Sequence, residues 1–214
     1  MNEVIIKNTT FITSAATAKQ FILPDKPMIA VCGKSNVGKS SFINKLANQK
    51  KLAKTSSEPG RTRLVNYFDF GQFILADLPG YGFARVAKSE KQKWARTLDD
   101  FFKEKRTISH VFMLVDCRHN PTEDDLQMLE FLHYHILPFT LVLTKADKLS
   151  KMKLKEQIKT IASKTRLGEG NLLATSSETG YGKQEILQRI SEILDTDKRI
   201  RSGEFSEETE NNLY

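Results

Sequence analysis

The stretch Gly33-Lys-Ser-Asn-Val-Gly-Lys39-Ser40 matches the pattern G-x-x-x-x-G-K-[ST], and its placement constrains the fold more than any other feature of the chain. It follows the apolar run Met28-Ile-Ala-Val-Cys32 and precedes a segment whose apolar residues Phe42, Ile43 and Leu46 recur at helical spacing. Strand, glycine-rich loop and helix in that order build a phosphate cradle. The glycines let backbone N–H groups turn inward around phosphate oxygens, and the helix N-terminus adds positive potential. Lys39 is then expected to reach the β- and γ-phosphates, and the Ser40 hydroxyl to ligate Mg²⁺. Gly33, Lys34, Ser35, Asn36, Val37, Gly38, Lys39, Ser40 and Ser41 are the expected cradle. By itself it specifies a nucleoside triphosphate and no particular base.

Strands and helices alternate along the rest of the chain. Residues 65–70 and 73–76, joined through Gly71-Gln72, read as a hairpin. Helical spacing follows at Trp94, Leu98, Phe101 and Phe102, then a strand over 111–115, and a helix opened by Pro121-Thr-Glu-Asp-Asp, whose acids suit its positive end. Residues 140–144 and 171–174 read as strands, 154–161 and 186–194 as helices. This pattern predicts a three-layer α/β P-loop NTPase fold of the Ras-like G-domain type. Its sheet is expected to be mostly parallel and six-stranded, with one antiparallel edge strand and helices on both faces. Residues 1–24 read as an N-terminal extension, 25–196 as the G domain, and 197–214 as an acidic tail expected to be mobile.

Four more stretches narrow the ligand. Asp77-Leu78-Pro79-Gly80 follows a strand, which puts a carboxylate near the Mg²⁺ (through water) and a glycine N–H near the γ-phosphate. Between this and the first loop, Gly60-Arg61-Thr62-Arg63-Leu64 offers Thr62 to complete the Mg²⁺ shell. Thr144-Lys145-Ala146-Asp147 ends a strand and resembles the guanine-reading signature. Asp147 can accept from guanine N1–H and the N2 amine, a donor pair adenine lacks, while the Lys145 stem covers the base. Thr175-Ser176-Ser177 is expected to supply backbone N–H to guanine O6. The expected catalytic residues are Lys39, Thr62 and Gly80, to which only a family resemblance adds Asn36.

With these residues in view, the chain resembles the EngB/YsxC (YihA) group of bacterial ribosome-assembly GTPases over about residues 11–194. Its most specific parts are Ser35-Asn-Val-Gly-Lys-Ser-Ser41, Pro59-Gly-Arg-Thr62 and Asp77-Leu-Pro-Gly-Tyr-Gly-Phe83. The resemblance implies a monomeric, cytoplasmic GTP/GDP switch that assists large ribosomal subunit maturation and is needed for division and septation. Relatives with Asn at the position of Asn36 use it with K⁺ in place of an arginine finger, so K⁺ is an expected second ion. One departure from Ras-type enzymes stands out. Tyr81 follows Gly80 where those proteins place a water-orienting Gln, which implies slow intrinsic turnover.

Charge agrees with an anionic partner. The net charge is +7, and from Asp197 onward five acids face three bases, so the body is more basic still. Basic residues gather at 45–63 (Lys45, Lys50, Lys51, Lys54, Arg61, Arg63) and 85–106 (Arg85, Lys88, Lys91, Lys93, Arg96, Lys103, Lys105, Arg106), flanking the expected switch loops. Contact with ribosomal RNA is the expected use. Apolar runs fall short of a membrane span, no secretory leader is read, and Cys32 and Cys117 are expected to be reduced core thiols. His110, His119, His133 and His135 have no metal-binding spacing. Two other classes compete: an ATP-using P-loop enzyme, and a nucleotide-gated RNA-binding module with negligible hydrolysis.

Overall fold

The computed structural model describes residues 4–54, 64–82, 95–103 and 108–204 in full, and the backbone of 88–94. In chain order the elements are β1 (Thr10–Ala15), β2 (Met28–Gly33), α1 (Lys39–Leu46), β3 (Val65–Asp69), β4 (Ile74–Asp77), α2 (Lys88–Lys103), β5 (Ile108–Asp116), α3 (Glu123–Tyr134), β6 (Phe139–Thr144), α4 (Lys151–Thr165), β7 (Leu172–Ala174) and α5 (Lys183–Ser202). The strands form a single sheet in the order β1-β3-β4-β2-β5-β6-β7.

Strand β2 shows why helices are needed on both faces. All six of its residues are buried. Successive side chains point to opposite faces, so Met28, Ala30 and Cys32 join the core containing Leu98, Phe102, Met128, Leu132 and Ile161 of α2, α3 and α4. Ile29 and Val31 join the core containing Phe42, Ile43, Ile186 and Ile190 of α1 and α5. Both cysteines are free and buried, and burial pushes their thiols up, Cys32 to about 12 and Cys117 to about 11.

The three-layer, mostly parallel architecture is as the sequence predicts, with two corrections. The sheet has seven strands rather than six: β1 pairs antiparallel with β3. The antiparallel strand β3 therefore lies one place in from the edge. Thr10, Phe11 and Ile12 of β1 are exposed and only Ala15 is buried, so no apolar alternation marks the strand. It is held by its ladder and by Ser14 Oγ donating to Asn66 Oδ1 at 2.7 Å. The last helix also runs past Leu194 to Ser202, into the segment expected to be mobile. Polar contacts hold its end: Ser109 Oγ donates to Asp197 Oδ1 at 2.6 Å and Arg201 Nη1 to the Asp25 carbonyl at 2.8 Å. Gly203, at φ 82°, terminates the helix.

Candidate nucleotide-binding site

The loop after β2 turns through two left-handed residues, Asn36 (φ 64°) and Gly38 (φ 109°), before α1 starts at Lys39. Asn tolerates that region, whereas at 109° the absence of a Cβ is needed. Val37 N–H donates to the Lys34 carbonyl at 3.1 Å, and Phe42 N–H to the Gly38 carbonyl at 2.8 Å, which closes the first turn of α1. The Asn36 side chain is exposed and makes no hydrogen bond among the described residues.

The end of β6 is fastened to this loop. Thr144 Oγ1 donates to the Val37 carbonyl at 2.7 Å. Lys145, itself at φ 62°, sends Nζ to the Asn36 carbonyl at 2.9 Å and pairs with Asp116 at 2.9 Å. Asp116 was not among the residues expected here, although it closes β5 directly beside Thr144 in the parallel register. Burial would raise its carboxyl, but hydrogen bonds from Arg118 and Lys145 outweigh burial and hold it well below the usual carboxylate range. It stays charged and fixes the Lys145 ammonium, so the Lys145 stem lies across the loop.

Asp147 sits in the 3₁₀ turn that follows. Its Oδ1 accepts from Ser176 Oγ at 2.6 Å and its Oδ2 pairs with Lys148 at 2.9 Å. These two contacts, Ser176 foremost, lower its pKa. Ala146 N–H donates to the Thr175 carbonyl at 3.0 Å, joining the two base-side loops. Of the three expected donors in 175–177, Thr175 N–H is bonded to the Leu143 carbonyl (2.7 Å) and Ser176 N–H to the Tyr181 carbonyl (2.9 Å). The expectation of a donor toward a base oxygen therefore narrows to Ser177. The backbone of the other two is consumed in closing the loop.

On the phosphate side, Lys39 Nζ lies 3.1 Å from Asp77 Oδ1, with both side chains nearly buried. That carboxylate oxygen has no aligned hydrogen bond. Ser40 Oγ donates to the Lys54 carbonyl at 3.1 Å, which leaves its lone pairs available. One carboxylate and one hydroxyl beside a phosphate cradle fit Mg²⁺, which takes few protein ligands and draws the rest from water and phosphate. Leu78 is buried behind Asp77, and Gly80 packs so closely that a Cβ there would meet Ser35 Oγ at 3.1 Å. Leu64 is half-buried ahead of β3, while Gly60, Arg61, Thr62 and Arg63 lie outside the described residues. Tyr81 does not face this space. It is buried and its hydroxyl donates to Asp125 Oδ1 at 2.8 Å.

A family model described as "50S ribosome-binding GTPase" matches residues 28–145. The "Probable GTP-binding protein EngB" of Geobacillus thermodenitrificans is 43% identical over 191 residues, 88% of this chain and 98% of that protein. A crystal structure of a probable GTP-binding protein engB superposes with a TM-score of 0.66 at 21% identity, covering 79% of this chain and 99% of that one. A structure of Era in complex with MgGDPNP and a stretch of 16S ribosomal RNA gives 0.61 at 22% identity over 77% of this chain and 55% of that one. At those identities the structural likenesses speak for the fold.

Proposed function

The chain belongs to the EngB family of GTP-binding proteins, and from that membership we propose that it is a Mg²⁺-dependent GTPase acting as a switch in large ribosomal subunit assembly. The observation that carries the reading is the strap of Thr144 and Lys145 onto the carbonyls of Val37 and Asn36. It makes base-reading loop and phosphate cradle one rigid unit, so a purine and a triphosphate are recognised together.

In this reading Gly33 to Ser41 wrap the phosphates, and Lys39 leaves Asp77 for the β- and γ-phosphates. Asp147 exchanges Ser176 and the exposed Lys148 for the guanine edge, with Ser177 N–H toward O6. Ser40 and Thr62 would hold Mg²⁺ directly and Asp77 through water. When bound, the ion neutralises charge on the phosphate oxygens. Gly80 carries the N–H that meets the γ-phosphate, and Pro79, which has none, fixes the turn before it. With Tyr81 turned inward, the side chain that directly follows Gly80 does not orient the hydrolytic water, so intrinsic turnover is slow. The unbonded, exposed Asn36 side chain supports a K⁺ ligand that compensates.

The basic sequence, the match to a 50S ribosome-binding GTPase family and the solved Era–RNA complex support ribosomal particles and their RNA as partners. Roles in division and septation, a monomeric state and a cytoplasmic location follow from the family resemblance. Among the described residues no helix is long and apolar enough to cross a membrane.

Calorimetric titration tests the core of this proposal: GDP binds at micromolar level and ADP does not, and equal binding of both would overturn it. Phosphate release is expected to be faster in K⁺ than in Na⁺; equal rates would remove the K⁺ assignment. The inward Tyr81 also favours a second reading, a nucleotide-gated RNA-binding module. Turnover that stays undetectable with ribosomal particles present would select it.

A further inference from the structure

The polar groups between the P-loop and the N-terminus of α3 close into a ring. Ser35 N–H donates to the Tyr81 carbonyl at 2.9 Å and Tyr81 N–H to the Gly33 carbonyl at 3.4 Å, a one-residue parallel bridge between Lys34 and Tyr81. The Tyr81 side chain, 4% exposed, carries the path inward to Asp125 Oδ1 at 2.8 Å. The other oxygen of Asp125 accepts from Thr122 Oγ1 at 2.7 Å and Thr122 N–H at 2.8 Å. Thr122 Oγ1 in turn accepts from Lys34 Nζ at 3.3 Å, and Lys34 pairs with Asp124 at 3.3 Å, which returns the ring to the P-loop.

Capping α3 does not require this much. The reciprocal contacts of Thr122 and Asp125 complete the capping box by themselves. A phenylalanine at 81 would fill the same core space without placing a hydroxyl against a carboxylate. The extra bond has a consequence one residue upstream. Gly80 is pressed onto the P-loop, where a Cβ would stand 3.1 Å from Ser35 Oγ and 3.3 Å from Ser35 N. Tyr81, the next residue, is bonded to the same loop through its own N–H and carbonyl and to Asp125 through its hydroxyl.

We propose that Tyr81 is a positioning residue: its hydroxyl bond to Asp125 fixes the Gly80 backbone against the P-loop for the γ-phosphate and couples that contact to α3. The proposal rests on the GTP-binding reading above and deepens it. The chain position that Ras-type proteins use to orient water serves here to set peptide geometry. Burial first, then the neighbouring Cys32 and Asp125, pushes the Tyr81 phenol well above its ordinary range, so it remains a donor. Because the γ-phosphate alone distinguishes GTP from GDP, the ring acts on the preference between them and not on nucleotide binding at large.

The test is titration of the wild type, Tyr81→Phe, Asp125→Asn and the double variant with GDP and with a non-hydrolysable GTP analogue. Asn at 125 has one acceptor atom, which Thr122 occupies, and no charge, so the Tyr81 hydroxyl loses its carboxylate acceptor. Each single variant is expected to lose about 10-fold in analogue affinity, the size of one hydrogen bond to a charged group. GDP affinity should change less than about 2-fold, and the double variant should be no weaker than the weaker single, because both remove one bond. Equal losses for both nucleotides, no loss, or additive losses would overturn the proposal. Should one single variant fail to keep a wild-type thermal melt, the nucleotide preference of the other decides. A wild type that binds neither guanine nucleotide would overturn the functional reading, and the ring's role with it; the other contrary outcomes overturn the ring's role alone.

Discussion

Thr144 and Asp147 differ in how legible their roles are. The proposed role of the Asp147 carboxylate is legible in the motif, because guanine presents a donor pair that an acceptor carboxylate fits. The hydroxyl of Thr144, which ties β6 to the Val37 carbonyl, could not, since its partner is a backbone atom far off in sequence. Asp116 escaped for a similar reason: its meaning depends on parallel register with Thr144, which exists only once β5 and β6 are adjacent. Ser176 reads from the sequence as a backbone donor, whereas in the structure its N–H goes to the Tyr181 carbonyl and its side chain donates to Asp147. A separate residue fixes the acid response. His110 Nε2 lies 2.9 Å from Thr140 Oγ1, which also accepts from Arg189 at 2.8 Å. Burial, and then Arg189, pushes His110 down from an ordinary value of 6.5 to about 3. The folded state therefore binds fewer protons than the unfolded state between these values. Stability is expected to be insensitive to this group above about pH 6.5 and to fall as pH drops toward 3. In urea titrations at stepped pH, His110→Gln should flatten that fall; an unchanged slope would contradict the assignment.

At the scale of elements, what could be read in advance tracked apolar pattern closely. Strand β2 and helix α1 announce themselves because buried side chains recur at their periods. Strand β1 does not, because five of its six residues are exposed or half-buried and the edge of β3, not a core, recruits it. The end of α5 was hidden by its composition, rich in charge with Ile200 exposed. Its stability comes from the links of Asp197 to Ser109 and Arg201. Asp197→Ala should therefore destabilise the protein by about 1–2 kcal/mol, lowering the melting temperature by roughly 2–8 °C for a chain this size. It should leave GDP affinity intact, since α5's last turns are tied to Ser109 and Asp25 rather than to the nucleotide loops. A melting temperature equal to wild type would mean that the helix end is merely solvated.

Across the whole molecule, the sheet's connectivity does what no single motif can. The loops after β2, β4, β6 and β7 meet at the carboxyl ends of their strands, as doubly wound sheets require. Their hydrogen bonds to one another turn that meeting into a rigid site. The general layout was legible because the strand-loop-helix order allows few topologies; the straps and the Tyr81 ring were not, because they join residues remote in sequence through backbone carbonyls and buried side chains. The central claim is that this rim reads guanine through Asp147 while holding its phosphates at Lys39. Its most direct test is a calorimetric comparison of Asp147→Asn with wild type against GDP and xanthosine diphosphate. Exchanging an acceptor carboxylate for an amide that can donate should weaken GDP by at least about 100-fold, two hydrogen bonds to a charged group, and strengthen the xanthine nucleotide correspondingly. GDP affinity unchanged by that substitution would contradict the account.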